Sequence, residues 1–351
     1  MQINPMIEAA TPSIHISVVI PTYQRRECVA RLLQALCTQT LPPDQYEVIV
    51  SIDGSDDGTR EWVEQFPAPY KLTWLWQPNR GRAAACNSGI RAASGAVLVL
   101  LDDDMEPTPT FLEGHASAHA CARASKTRIG VLGAVPVPLT PDSPAVVAYI
   151  GRKFNQHLAA LAQPDHVVKL RDFYSGNFSI RRAVLLGIGL FDEAFKVYGH
   201  EDLELSLRFK LDGGQLRFSA EALAYQHYTK NFAGLARDNI AKGQTALLMA
   251  RKHPEVFAEL KLSTYAQGSW PWRMVRTLLL GGSKLLPVLP GALMAVVQKL
   301  ERLPSAWLDT CYRLTLDYCY WLGVQQALGA QPGLITQPTL QPQQSLRVEG
   351  V

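Results

Sequence analysis

Val97–Leu101 (Val-Leu-Val-Leu-Leu) is apolar at every position and runs straight into three carboxylates, Asp102, Asp103 and Asp104. An apolar run that does not alternate predicts a strand buried on both faces, as in a parallel sheet. Ile14–Pro21 and Tyr46–Ile52 are β-branched and strand-like, and Lys71–Trp76 reads as a short further strand. Helical patterns lie between them. Val29, Leu32, Leu33 and Leu36 share a face within Arg25–Thr38, a helix begins near Thr59 or Arg60, and Ala-rich Gly81–Ala93 closes at Ser94-Gly95. Strands alternating with helices predict a parallel sheet with crossover helices over this first part of the chain.

The pattern then loosens. Thr108–Arg128 reads as a helix, Ile129–Pro138 returns to strand, and Thr140–His166 is a loop-and-helix insert punctuated by Pro141, Pro144 and Pro164. Asp202–Lys210 is an apparent helix and Gln215–Ser219 a strand. Phe232–Arg251 and Leu308–Leu328 are helical, the second with Asp309, Arg313 and Asp317 on one side. Thr277–Val297 is nearly all apolar, but Gly281-Gly282, Lys284, Pro287 and Pro290 interrupt it. A spanning helix needs about 20 apolar residues with few interruptions. Two readings stand for this stretch: an interfacial hairpin, with Trp270, Trp272, Arg273 and Arg276 at headgroup level, or a helical pair packed on the domain. Residues after Gly329 are Gln/Pro-rich and expected to be disordered, and Met1–Ser13, without the basic start or apolar core of a signal peptide, to be a loose lead-in.

Composition narrows the class. A chain of 351 residues with 47% hydrophobic and 19% charged positions holds a full core. A net charge of +3 is too small to suggest nucleic acid. The six cysteines, at 28, 37, 86, 121, 311 and 319, form no Cys-x-x-Cys pair, which favours reduced thiols and a cytoplasmic protein.

The Asp triad is the first chemical candidate. Three adjacent carboxylates repel unless solvent or a cation neutralises them, and the carboxyl end of a core strand is where open α/β sheets bind ligands. The loop Asp53-Gly-Ser-Asp-Asp-Gly-Thr59 ends a second strand on the same predicted edge. Asp53 can accept from a nucleobase imide or a ribose hydroxyl, and Arg80 and Arg82 can supply fixed donors to a diphosphate. The spacing of His115 and His119 could serve a metal, but without a His-Glu-x-x-His pattern a surface helix is the expected reading.

Further along stand Tyr174-Ser-Gly-Asn-Phe-Ser-Ile-Arg-Arg182, Gly189-Leu-Phe-Asp-Glu-Ala-Phe195 and Gly199-His-Glu-Asp-Leu-Glu-Leu-Ser-Leu-Arg208. With Pro21-Thr22-Tyr23, the Asp53–Thr59 loop and the Asp triad, this series resembles the family 2 glycosyltransferases of GT-A fold, in order from about Ile16 to Tyr228. The resemblance implies an α/β fold: a nucleotide-binding mixed sheet flanked by helices (14–107), joined to an acceptor half (108–230). The remaining 231–330 would be a helical, membrane-associating appendage, and 331–351 a disordered tail. It implies inverting transfer of a sugar from a nucleotide-diphosphate donor, UDP favoured, to a glycan or lipid-linked acceptor in surface-polysaccharide or glycoconjugate synthesis, with Mn²⁺ or Mg²⁺.

Residue by residue, the resemblance assigns Pro21, Thr22, Tyr23 and Asp53 to the nucleoside. Asp102 and Asp104 match the Asp-x-Asp signature, with Asp104 as metal ligand and Asp102, beside Asp103, toward ribose or metal. Gly176 and Asn177 line the donor sugar and acceptor. Glu201-Asp202 matches the Glu-Asp pair in which Asp202 is the base, and His227 is offered as a third metal ligand. A carboxylate base must stand apart from the metal site, on the other side of the sugar, and Asp202 lies far enough along the chain for that. Cys86 stands where the family has Arg, so either Arg82 or Arg80 takes over its contact with the diphosphate or donor affinity differs. The absence of Gln-x-x-Arg-Trp argues for a non-processive enzyme. A sugar-phosphate nucleotidyltransferase and a non-catalytic nucleotide-sugar scaffold are the competing readings.

Overall fold

The computed structural model describes residues 16–124, 127–301 and 307–330. The expected lead-in and tail lie outside them.

A seven-stranded sheet forms the centre. Its strands are β1 (Ile16–Thr22), β2 (Tyr46–Asp53), β3 (Lys71–Gln77), β4 (Val97–Leu101), β6 (Ile129–Gly133), β7 (Asn177–Arg181) and β8 (Gln215–Ser219), in the order β3-β2-β1-β4-β7-β6-β8. β1 runs parallel to β2 and β4, and β2 parallel to β3. This is the sheet that the alternation of strands and helices predicts. β1, β2 and β4 are buried at every position, as non-alternating runs require when both faces are covered. β7 is antiparallel to both β4 and β6, and β8 returns parallel to β6, so the sheet is mixed. A two-stranded ladder of β5 (Met105–Pro107) and β9 (Ala224–Gln226) lies beyond β4. These three-residue strands are too short to show a period in the sequence.

Helices cover both faces. α1 (Arg26–Leu36) buries Val29, Leu32, Leu33 and Leu36, as their spacing predicts. It joins α2 (Thr59–Gln65) on one face, against Val18, Val48 and Val99. α3 (Arg82–Ala92) packs on the other with Val19, Ile49 and Leu98. Gly89 lets α3 approach closely, since a Cβ there would stand 2.5 Å from Val19 Cγ1. α4 (Phe111–Ala124), α6 (Arg182–Gly187) and α7 (Glu201–Leu211) complete the α/β part.

The insert at 140–166 is one helix, α5 (Ala145–Leu161). Its Val146 and Tyr149 belong to a separate apolar cluster with α8 (Phe232–Lys252) and α11 (Leu308–Gly329). α8 and α11 cross almost in backbone contact. A Cβ on Gly243 would lie 2.0 Å from the Tyr320 carbonyl, and one on Gly323 1.9 Å from the Ile240 carbonyl. α9 (Trp270–Leu285) and α10 (Leu289–Leu300) pack through Leu280 and Val297 onto this cluster. Among the described residues no helix is long and apolar enough to cross a membrane.

Candidate functional site

The carboxyl ends of β1, β2 and β4 open on one edge, as parallel strands must, and a cavity of about 450 Å³ lies there. Pro21, Thr22, Tyr23, Asp53, Arg82 and the whole Asp triad line it. The far wall comes from α5 and from the segment containing α8, through Phe154, Lys230, Asp238 and Lys242.

Each acid of the triad meets a different fate. Asp102 Oδ1 accepts from Arg82 Nη2 at 2.6 Å, and its backbone N–H donates to the Gly176 carbonyl at 2.9 Å. Asp103 turns inward, accepting from Thr22 Oγ1 at 2.8 Å and Arg25 Nη1 at 2.7 Å. Burial pushes its carboxyl up to about 6, against the pull of Arg25. Asp104 is buried too, with Arg25 Nη1 at 3.4 Å from Oδ2. Burial and then the charge of Asp102 push its carboxyl above the usual range. Its Oδ1 is buried with no hydrogen-bond partner among the described residues. A buried oxygen without a donor is costly, and a hard divalent cation satisfies such an atom. The residues therefore fit a metal at Asp104 with Asp102 beside it.

The second acidic site arrives through β7. Leu101 pairs with Asn177, so the end of β4 meets the start of β7. This brings Gly176 so near Asp102 that a Cβ there would lie 2.5 Å from Asp102 Oδ2. Ser175, next along, donates to Asp202 Oδ1 at 2.5 Å. Asp202 sits in the first turn of α7, after Gly199 and His200, whose φ angles of 118° and 65° turn the chain sharply. Arg82 Nη1 reaches the same Oδ1 at 3.1 Å. One guanidinium thus spans the two acidic sites. Among the described residues, Oδ2 of Asp202 has a single long hydrogen-bond contact, the Ser175 N–H at 3.4 Å.

Several expected site residues do other work. Asp53 borders the cavity, but its carboxylate accepts from the backbone N–H groups of Arg80 (2.9 Å) and Gly81 (2.8 Å) and from Gln77 Nε2 (2.7 Å). It fixes the loop that aims Arg82. Arg80 points outward and pairs with Glu193 at 2.7 Å, so of the two arginines only Arg82 lines the cavity. Asn177 does not face the cavity. Its side chain is fully buried, donating to the carbonyls of Ala134 and Ala222 and meeting His115 Nε2 at 2.9 Å. Glu201 is also buried, accepting from the Gly199 N–H at 2.8 Å with Arg82 at 3.8 Å. Burial and then Asp202 push it up to about 7. His227 Nε2 pairs with Glu106 at 2.5 Å rather than with the triad. Among the described residues no three His, Cys, Asp or Glu side chains form a ready metal cage.

The expectation of a surface helix at His115 and His119 is overturned. Both rings are fully buried. Ser179 Oγ lies 2.8 Å from His115 Nδ1 and 2.9 Å from His119 Nε2, so the histidines join Asn177 in a polar chain under the sheet. Burial pushes them down to about 4 and about 3, which keeps them neutral. The residues missed in the sequence are Arg25, Ser175, Lys230 and Lys242. Nothing local marks them, because each owes its role to a neighbour distant in the chain.

Residues 17–124 match the sequence profile of glycosyl transferase family 2. The chain is 28% identical over 283 residues to a validoxylamine A glucosyltransferase of Streptomyces hygroscopicus subsp. limoneus, covering 74% of this chain and 61% of that protein. It is 26% identical over 264 residues to a chondroitin synthase of Escherichia coli, covering 68% and 38%. It therefore spans less than two thirds of the length of either relative. The crystal structure of S. aureus TarS 1-349 in complex with UDP-GlcNAc shares the fold, with a TM-score of 0.51 and 16% identity over 90% of this chain and 92% of that one.

Proposed function

We propose that the chain acts as a family 2 glycosyltransferase, performing inverting, non-processive transfer of a sugar from a nucleotide-diphosphate donor to a hydroxyl of a glycan or lipid-linked acceptor. One observation carries the reading. Arg82, on the cavity wall, bridges Asp102, proposed for the metal, and Asp202, proposed as the base, and holds them on separate nitrogens of one guanidinium. Inverting transfer needs that separation: a base on one side of the sugar and charge neutralisation of the leaving group on the other.

In this reading Pro21–Tyr23 and the Asp53 loop enclose the nucleoside, and Arg82 donates to the diphosphate. Asp104, with Asp102, would hold Mg²⁺ or Mn²⁺, which would supply countercharge for the departing diphosphate. Asp202 takes the proton from the acceptor hydroxyl. That oxygen attacks the anomeric carbon, and the bond from this carbon to the diphosphate oxygen breaks with inversion. Oδ1 of Asp202 is already engaged by Ser175 and Arg82, which leaves Oδ2 as the base. A related fold crystallised with UDP-GlcNAc makes UDP the first nucleotide to test. All six cysteines are unpaired, in keeping with a cytoplasmic site of action.

The test is nucleotide release from UDP-, GDP- and dTDP-sugars with Mn²⁺ or Mg²⁺, using wild type, Asp104→Ala and Asp202→Asn, with and without simple glycan acceptors. Metal-dependent release of one nucleotide, lost in Asp104→Ala, is expected. Acceptor-dependent turnover should drop by about 10² to 10⁴ in Asp202→Asn, with donor KM little changed. Full acceptor-dependent turnover by Asp202→Asn would remove it from the role of base.

A further inference from the structure

The C-terminal helices carry an exposed surface that the transfer reaction does not use. Trp270, Leu278, Leu285, Leu286, Val288 and Trp307 are each between 58% and 82% exposed. The first five lie on α9 or in the link to α10, where Met274, Val275 and Val296 are exposed as well, and Trp307 stands at the start of α11. Elsewhere in the described chain, large exposed apolar side chains are scattered. Large exposed apolar side chains gathered on one helical pair in this way mark a binding surface.

Charge says what covers it. No acidic residue occurs between Glu259 and Glu301. Arg276 is buried and neutralised by Asp317 at 3.1 Å. The exposed charges left on α9 and α10 are Arg273, Lys284 and Lys299, all positive. Beside them a second cavity, of about 440 Å³, lies between α9 and α11. It is walled by Leu280, Trp321, Val324 and Leu328, with Thr277 and exposed Lys284 at its rim. It is an apolar recess with a cation at its mouth, the arrangement that suits a hydrocarbon chain with an anionic head.

We propose that the α9–α10 hairpin docks in the plane of an anionic lipid bilayer. The apolar residues enter the headgroup and acyl boundary, and Arg273, Lys284 and Lys299 meet the lipid phosphates. Neither helix is of spanning type, so the chain rests on the surface. This inference stands on the C-terminal helices alone and does not depend on the transfer chemistry.

The experiment is vesicle flotation of the full chain, with phosphatidylcholine alone and with about a third of it replaced by phosphatidylglycerol. Wild type should bind the anionic vesicles far better, and salt should weaken the binding. Replacing all three basic residues (Arg273→Glu, Lys284→Glu, Lys299→Glu) should lower the partition coefficient on the order of a hundredfold, at about fivefold or more per charge. Leu278→Ser with Leu285→Ser and Val288→Ser should abolish binding at every salt concentration. All six positions are exposed, and unchanged circular dichroism and Tm will verify that both variants fold. Absence of binding to anionic vesicles at low salt overturns the proposal, as does binding that neither variant reduces. If vesicles fail and the serine variant instead dissolves a dimer seen by sedimentation, the face joins two copies and the proposal falls.

Discussion

Glu201→Gln should make the protein more stable, and more so in alkali. Glu201 is 2% exposed, and its carboxyl is pushed from 4.5 up to about 7 by burial and then by the charge of Asp202, with Arg82 pulling the other way. A folded state that holds a carboxyl proton more tightly than the unfolded one loses stability as pH rises. The loss sets in above about 4.5 and is complete above about 7. Integrated over that window it amounts to ~3 kcal/mol at pH 8 and less than about 1 kcal/mol at pH 5. Glutamine has the same shape and keeps an oxygen for the Gly199 N–H, so it removes the charge and little else. The metal-free variant should therefore melt roughly 4 °C above wild type at pH 8 and within about 1 °C of it at pH 5. Calorimetry or thermal shift at the two pH values decides the matter. An equal gain at both would trace the effect to packing instead of ionisation. A loss at pH 8 would mean that the Arg82 contact at 3.8 Å outweighs burial.

Other outcomes follow from the same structure. His119, buried and neutral, binds its proton in the unfolded chain first, so acid erodes stability as pH falls from about 6.5. His119→Gln should remove ~3 kcal/mol of the loss seen by pH 4, measured by denaturant midpoints at each pH. Gly323→Ala would place a methyl 1.9 Å from the Ile240 carbonyl and should lower stability by about 3 kcal/mol or more, whereas Gly291→Ala, in open space, should leave Tm within about 2 °C. For Asp104→Asn, the thermal stabilisation of wild type by UDP with Mn²⁺, expected at ~4 kcal/mol when ligand exceeds its Kd a thousandfold, should vanish. An unchanged shift would remove Asp104 from the metal site.

The strands of the nucleotide half could be read from the sequence because burial on both faces favours apolar, β-branched runs: Val97–Leu101 is unbroken, and Ile16–Thr22 and Tyr46–Asp53 are mostly so, with Ser17 and Glu47 bonded to each other. The Asp triad stood out for a related reason, since adjacent like charges need a partner, whereas the Glu201-Asp202 pair was marked only by its match to the family resemblance. Direction and company were decided in three dimensions. Whether Arg80 or Arg82 enters the cavity depends on Glu193, which draws Arg80 outward from far along the chain. By resemblance the sequence places Asn177 beside the donor sugar and acceptor, and its pattern places His115 on a surface helix. The fold buries them because each satisfies the other across β7 and α4. Thr140–His166 reads as a loop-and-helix insert, and its helix at 145–161 joins the second core because α8 and α11 give Val146 and Tyr149 a surface to cover. A sequence states which groups must be satisfied; the tertiary structure alone chooses the partners, because hydrogen bonds and ion pairs act over a few ångströms and chain distance says little about which groups come that close.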